Sequence, residues 1–240
     1  MKRFEDIGIL LNEAEKQLQE ISDLYQESLG NKKINPRIGV LVKNFFENVR
    51  SPLDYLAKEI CEKVLNFSGV TGFPISSETK EGFENFINNK LPDLKNRHSE
   101  LYDELEKAQK YNRSGLHFLP LLAKLVNENK HDQLTPQKKI EQKTLEISFP
   151  GGASVKMGHG CSISGGGTIS SGGAWFSPAG STISPDSPVV VGQGIQQQIF
   201  KWVSFQFQTI DREVKEVLRG SLNEVKLVIA RIKPHLNTKT

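Results

Sequence analysis

The sequence predicts an α+β protein: a helical bundle with a Gly/Ser-rich antiparallel β-module inserted before the C-terminal helix. Three observations carry this. Apolar residues recur at spacings of three and four from residue 4 to residue 131 and again from 211 to 232, the period of a helix with one buried face. At about residue 144 the composition changes: residues 151–194 hold 12 of the 20 glycines, and from 144 to 208 the only charges are Glu146, Lys156, Asp186 and Lys201. That stretch then breaks into short β-prone runs separated by Gly-rich turns. The division that follows is a helical bundle over 1–143, completed by a C-terminal helix within 209–240, and a β-module over 144–208. With 240 residues the chain is long enough to bury a core without disulfides or metals.

The elements follow in order. Phe4, Ile7, Leu11, Ala14, Leu18, Ile21 and Leu24 form a narrow apolar stripe on a helix over 4–29, and Gly30-Asn31 supplies a left-handed stop. A second helical pattern, 37–67, keeps one face through Ile38, Leu41, Phe45, Val49, Leu53, Leu56 and Ile60 across Pro52. Pro52 either kinks that helix or, with Ser51 as cap, begins a new one. Both readings bend the chain beside Arg50, Ser51 and Asp54. Ser76 or Ser77 caps a short helix carrying Phe83, Phe86 and Ile87; Pro92 opens another to about 112; and Pro120 sits in the first turn of a helix running to His131. The runs TLEISF, SVKM, CSI, TIS, AWF, STIS, VVV and KWVSFQFQ read as strands. Gly and Ser dominance also suits a flexible segment, but Trp175, Phe176 and regularly spaced Ile and Val favour strands. Asp211 or Thr209 caps a last helix to about 232, with Gly220-Ser221 as a soft point.

Charge excludes a basic nucleic-acid glove. Residues 1–143 carry 22 Lys+Arg against 22 Asp+Glu and residues 144–240 carry 9 against 6, so any phosphate contact is local. No segment has the continuous apolar core of a signal peptide or membrane span, and Cys61 and Cys161 are 100 positions apart with no CxxC pair. A reducing cytoplasm is the expected compartment, with no membrane partner. His159 and Cys161 stand at i,i+2 on a strand without visible partner ligands, so no metal site is expected, and Gly165–Gly167 and Gly192–Gly194 match no phosphate-binding fingerprint, so no cofactor is expected either.

The densest polar cluster is Asn127, Asn129, Lys130, His131 and Asp132. Asn127 and His131, four apart, share a helical face, where an imidazole serves as general acid or base and an amide orients a phosphate or water. A plain helix end reads the same way, with Lys130 and His131 complementing the C-terminal dipole. Arg50 and Asp54, also four apart, permit a salt bridge. Packed together, the two helices would converge a guanidinium, a carboxylate and an imidazole into a phosphodiester site; the alternative is a structural pair at the kink.

RSPLDYLAKEI, followed some seventy residues later by LAKLVNENKH, resembles uncharacterised bacterial helical proteins and, more distantly, the HEPN superfamily of small helical bundles. The resemblance covers about residues 37–135. It implies a dimeric, metal-independent ribonuclease or an RNA- or nucleotide-binding protein of the toxin, RNA-processing or antiviral kind. His131 matches the histidine of that superfamily's motif, and Lys124 stands seven residues before it, where an arginine is usual. On this resemblance His131, Arg50 and Asn127 would be catalytic, and Lys130, Lys124, Asp54 and Ser51 would bind.

A second function class is open: a non-enzymatic oligomeric interaction protein whose charge-poor β-module, with Trp175, Phe176, Phe200, Trp202, Phe205 and Phe207, presents a partner surface. Those rings equally suit a module core. A homodimer is expected in either class, because the narrow stripe of the first helix asks for a covering surface.

Overall fold

The computed structural model describes residues 2–28, 34–69, 71–75, 77–112, 114–131, 134–149, 154–158, 161–164, 169–171, 174–176, 182–186 and 196–236. The fold is α+β, and the chain divides into two compact units: 1–138 with 206–240, and 139–205.

Helix α1 (Lys2–Ser28) buries Ile7, Leu11, Ala14, Gln17, Ile21, Tyr25 and Ser28. Gln17 and Tyr25 thus turn inward where Leu18 and Leu24 were expected. The cause is that α1 packs against two helices, α2 (Arg37–Ile60) and α7 (Val214–Ile232), so its buried face is wider than one apolar stripe. Each polar member has a partner: Gln17 Oε1 accepts from Asn48 Nδ2 at 3.0 Å, the Tyr25 hydroxyl donates to Gln137, and Ser28 donates to the Leu24 carbonyl at 2.8 Å. The covering that the stripe of α1 requires is therefore supplied within the chain.

Helix α2 runs without interruption through Pro52 and continues as a π-helical turn, Cys61–Leu65, that Asn66 closes with φ 49°. Ser51 caps nothing. An interior proline costs about 3 kcal/mol, but Val49, Leu53, Leu56 and Ile60 are wholly buried on the face that spans it. At about 1.5–3 kcal/mol for each such side chain, burial of the continuous face outweighs the lost hydrogen bond. At the far end Arg3 binds Glu59 at 2.9 Å and Glu62 at 2.6 Å, joining the start of α1 to the end of α2. Burial opposes ionisation of Glu59, but hydrogen bonds from Lys63 and Arg3 hold its carboxyl below the usual range.

Helix α3 (Lys80–Lys90) is capped by Thr79, whose hydroxyl accepts from the Gly82 N–H at 3.1 Å, rather than by either serine; Ser76 lies outside the described residues. The single helix expected after Pro92 is divided into α4 (Leu94–Arg97), α5 (Ser99–Lys107) and a 3-10 turn at Lys110–Asn112. His98 makes the division: its φ of −154° is not helical, and its Nδ1 accepts from the Leu101 N–H at 3.3 Å as the cap of α5.

Helix α6 (Phe118–His131) has Pro120 in its first turn, as the sequence predicts. Its N-terminus is capped from a distance: buried Glu224 on α7 accepts from the Phe118 N–H at 2.7 Å and the Leu119 N–H at 3.2 Å. Helix α7 begins at Val214 with no side-chain cap, because the residues expected to cap it belong to a turn before the two-residue strand β8 (Arg212–Glu213). Gly220 is no soft point. A Cβ there would stand 2.3 Å from Phe118 Cζ, so the glycine is a notch that seats the ring. Gly220→Ala gains about 1 kcal/mol of helix propensity and loses about 1–3 kcal/mol to overpacking. Chemical denaturation should show a net loss of about 1 kcal/mol; a stabilised variant would mean that the ring swings aside freely.

The helix directions follow from the pairs between them. Arg3 meets Glu59 while Gln17 meets Asn48, so α1 and α2 are antiparallel. Glu15 pairs with Lys226, and Ser22 lines the same groove as Lys215, so α1 and α7 are antiparallel. Phe118 abuts Gly220, while Lys124 and Glu128 reach Thr209, so α6 and α7 are antiparallel. Helices α1 and α6 therefore run one way, and α2 and α7 the other.

In the other unit, β1 (Gln137–Ser148) begins seven residues earlier than TLEISF predicts and pairs antiparallel with β2 (Ser154–Met157) through Leu145↔Met157 and Ile147↔Val155. On the far side of β1 lies β7 (Gln196–Phe207), whose last two residues belong to the first unit and pair there with β8 through Phe207↔Arg212. Two small antiparallel pairs are β3 (Ile163–Ser164) with β6 (Thr182–Ile183), and, within the chain between them, the hairpin of β4 (Ile169–Ser171) with β5 (Ala174–Phe176). The second has Ser171 opposite Ala174, the two-residue Gly-Gly connection the sequence announces. Leu145, Ile147, Phe149, Met157 and Ile183 form this unit's core. Val189–Val191, His159 and both glycine clusters lie outside the described residues.

Candidate functional site

Two adjoining helices bring most of the candidate residues together. Arg50 sits on α2 with Nη1 2.9 Å from Asp54 Oδ1, the i,i+4 pair that the spacing predicts; the arginine side chain is 18% exposed and the aspartate 49%. The contact is ionic but poorly aligned, since buried Nη1 makes no hydrogen bond. A buried donor left in this state gains about 1.5–3 kcal/mol from a well-placed charged acceptor.

Helix α6 packs against α2 in the opposite direction. Lys130 Nζ lies 3.6 Å from Glu47 Oε2, which fixes the register. Three residues on along α2 is Arg50 and three residues back along α6 is Asn127, so each lies about 5 Å further along its own helix from that pair. Asn127 and Lys130 are exposed, and His131 is the last residue of the helix, its side chain outside the described residues.

Two candidates sit elsewhere. Lys124 turns to the loop before β8, donating to the Thr209 carbonyl at 3.2 Å, with Glu128 3.9 Å away. Ser51 is half-buried in the middle of α2. One residue of the neighbourhood escaped the sequence reading, and one member of the predicted polar cluster takes a structural role. Glu47, one turn before Arg50, is the partner of Lys130, and its i−3 spacing was a usable signal. Asn129 is the structural amide of the cluster: buried, it donates to the Leu125 carbonyl at 2.8 Å and accepts from the Thr135 N–H at 2.9 Å, which ties the end of α6 to the following chain.

The arrangement holds two cations, each beside one carboxylate, on two adjoining helices. Among the described residues no cluster of His, Cys, Asp and Glu is grouped to hold a metal ion, and no helix is long and apolar enough to cross a membrane. No protein-family model, curated protein or solved structure matches the chain.

Proposed function

We propose that the α2–α6 seam binds the phosphodiester backbone of RNA and cleaves it without a metal. Arg50 would stabilise charge developing on the phosphate, Asn127 and Lys130 would hold its oxygens, and His131 would act as general base. The observation that carries the reading is the buried Arg50 Nη1, which makes no hydrogen bond and lies one turn along α2 from the Glu47–Lys130 pair, beside the helix on which Asn127 and Lys130 are exposed. Donating to a phosphate oxygen would satisfy that group. In the reaction the 2′-hydroxyl gives its proton to the imidazole, its oxygen bonds to phosphorus, and the P–O5′ bond breaks to leave a 2′,3′-cyclic phosphate. The leaving oxygen takes a proton from a general acid, a role that a second copy of this chain would fill with its own His131, and a homodimer belongs to this proposal.

End-labelled RNA incubated with the protein in EDTA should be cut to cyclic-phosphate ends. His131→Ala should lower the rate by about 100-fold or more, and a 2′-deoxy linkage should resist. Absence of cleavage across pH 5–9 overturns the nuclease reading. The polar residues are then a network that ties two helices, and the β-module becomes the surface to test for partners.

A further inference from the structure

Elsewhere in the helical unit, α1 and α7 leave between them an open cavity of about 370 Å³, within the size range of small-ligand sites. Its α7 wall presents Lys215, Arg219 and Asn223 at i, i+4 and i+8, one face of the helix. Its α1 wall presents Gln19 and Ser22, and its apolar lining comes from Leu18 and Leu222.

The charges of this groove do not cancel. Glu15, at one end, is paired with Lys226. Asp23 accepts from Gln19 Nε2 at 2.8 Å, and Glu20 is held by Arg37 at 2.5 Å. Among the described residues Lys215 and Arg219 have no anionic partner, although both border the hollow and stand four apart, where like charges repel. Two unneutralised cations converge with a hydroxyl and two carboxamides on a space of ligand size.

We infer that this groove binds the dianionic phosphoryl group of a small polar phosphomonoester. Arg219 offers a planar fork for two of its oxygens and Lys215 a compact charge for the third. Asn223 and Ser22 supply neutral donors. Six of the eight lining residues are polar or charged, so the remainder of the ligand is hydrophilic, a sugar or nucleoside rather than an acyl chain.

The test uses the full chain, titrated at low ionic strength with inorganic phosphate, ribose 5-phosphate and adenosine 5′-monophosphate, and followed by backbone amide NMR. Saturable shifts in the groove-lining stretches of α1 and α7 are expected. Tighter binding of either organic ester than of inorganic phosphate would assign the site to esters, and equal binding would limit it to the phosphoryl group. Lys215→Gln with Arg219→Gln should weaken binding about tenfold or more. His131→Ala and Arg50→Ala should leave it unchanged, which separates this site from the α2–α6 seam. No saturable response to any of the three compounds, or an unchanged affinity in the double variant, overturns the inference.

Discussion

Phe46→Ala is expected to destabilise the helical unit by about 3–5 kcal/mol, the range for removing a large aromatic side chain from a core that cannot collapse. Phe46 is wholly buried. Its ring lies 5.6 Å from that of Phe45 in an edge-on arrangement and 5.9 Å from that of Phe207, so it joins the middle of α2 to the end of β7. Truncation therefore removes transfer free energy, leaves a cavity between two elements far apart in sequence, and breaks two ring contacts worth about 0.5–1.5 kcal/mol each. Against a whole-domain stability of about 5–15 kcal/mol, the loss is large. The melting temperature read from helical circular dichroism should fall by about 10 °C. Phe46→Leu should recover part of this, since it refills most of the volume without the ring contacts. A loss below about 1 kcal/mol for the alanine variant would mean that Phe46 does not join α2 to β7.

The helical architecture was legible because its signal is local. The stripe through Ile38, Val49 and Ile60 fixes the face of α2 without knowledge of any neighbour. What failed to appear depended on partners distant in the chain. Gln17 and Tyr25 turn inward because Asn48 and Gln137 receive them, and nothing in the spacing of α1 encodes those residues. Pro52 looked like a break because a proline's local cost is visible in sequence, while the burial that outweighs it is not. Gly220 looked flexible for the same reason: only the ring of Phe118, about a hundred residues earlier, explains it. At the candidate site the Arg50–Asp54 pair was legible as an i,i+4 spacing, whereas the ion pair of Lys130 with Glu47 belongs to the packing of two helices.

Arg50 and Asp54 give the sharpest test of the α2–α6 seam, because two readings of their ion pair predict opposite signs. If the pair serves only to stiffen α2, Arg50→Ala and Asp54→Asn remove the same contact and should act alike. Each would then cost less than about 1 kcal/mol, since Asp54 is half exposed and such pairs are weak. If Arg50 instead receives phosphate, Asp54 competes for the guanidinium and its removal frees both the charge and the fork. Asp54→Asn should then tighten RNA binding several-fold at low salt, with the gain shrinking as salt screens the seam. Arg50→Ala should lower the cleavage rate by about 100- to 1,000-fold, the range for deleting one preorganised donor to developing charge. Arg50→Lys should restore affinity better than rate, because an ammonium keeps the charge but cannot span two oxygens. Measuring RNA affinity, single-turnover rate and unfolding free energy on all three variants separates the readings. Parallel small losses in Arg50→Ala and Asp54→Asn would return the pair to a structural role. A gain in affinity for Asp54→Asn beside a loss for Arg50→Ala would make Arg50 the phosphate ligand and Asp54 the group that restrains it.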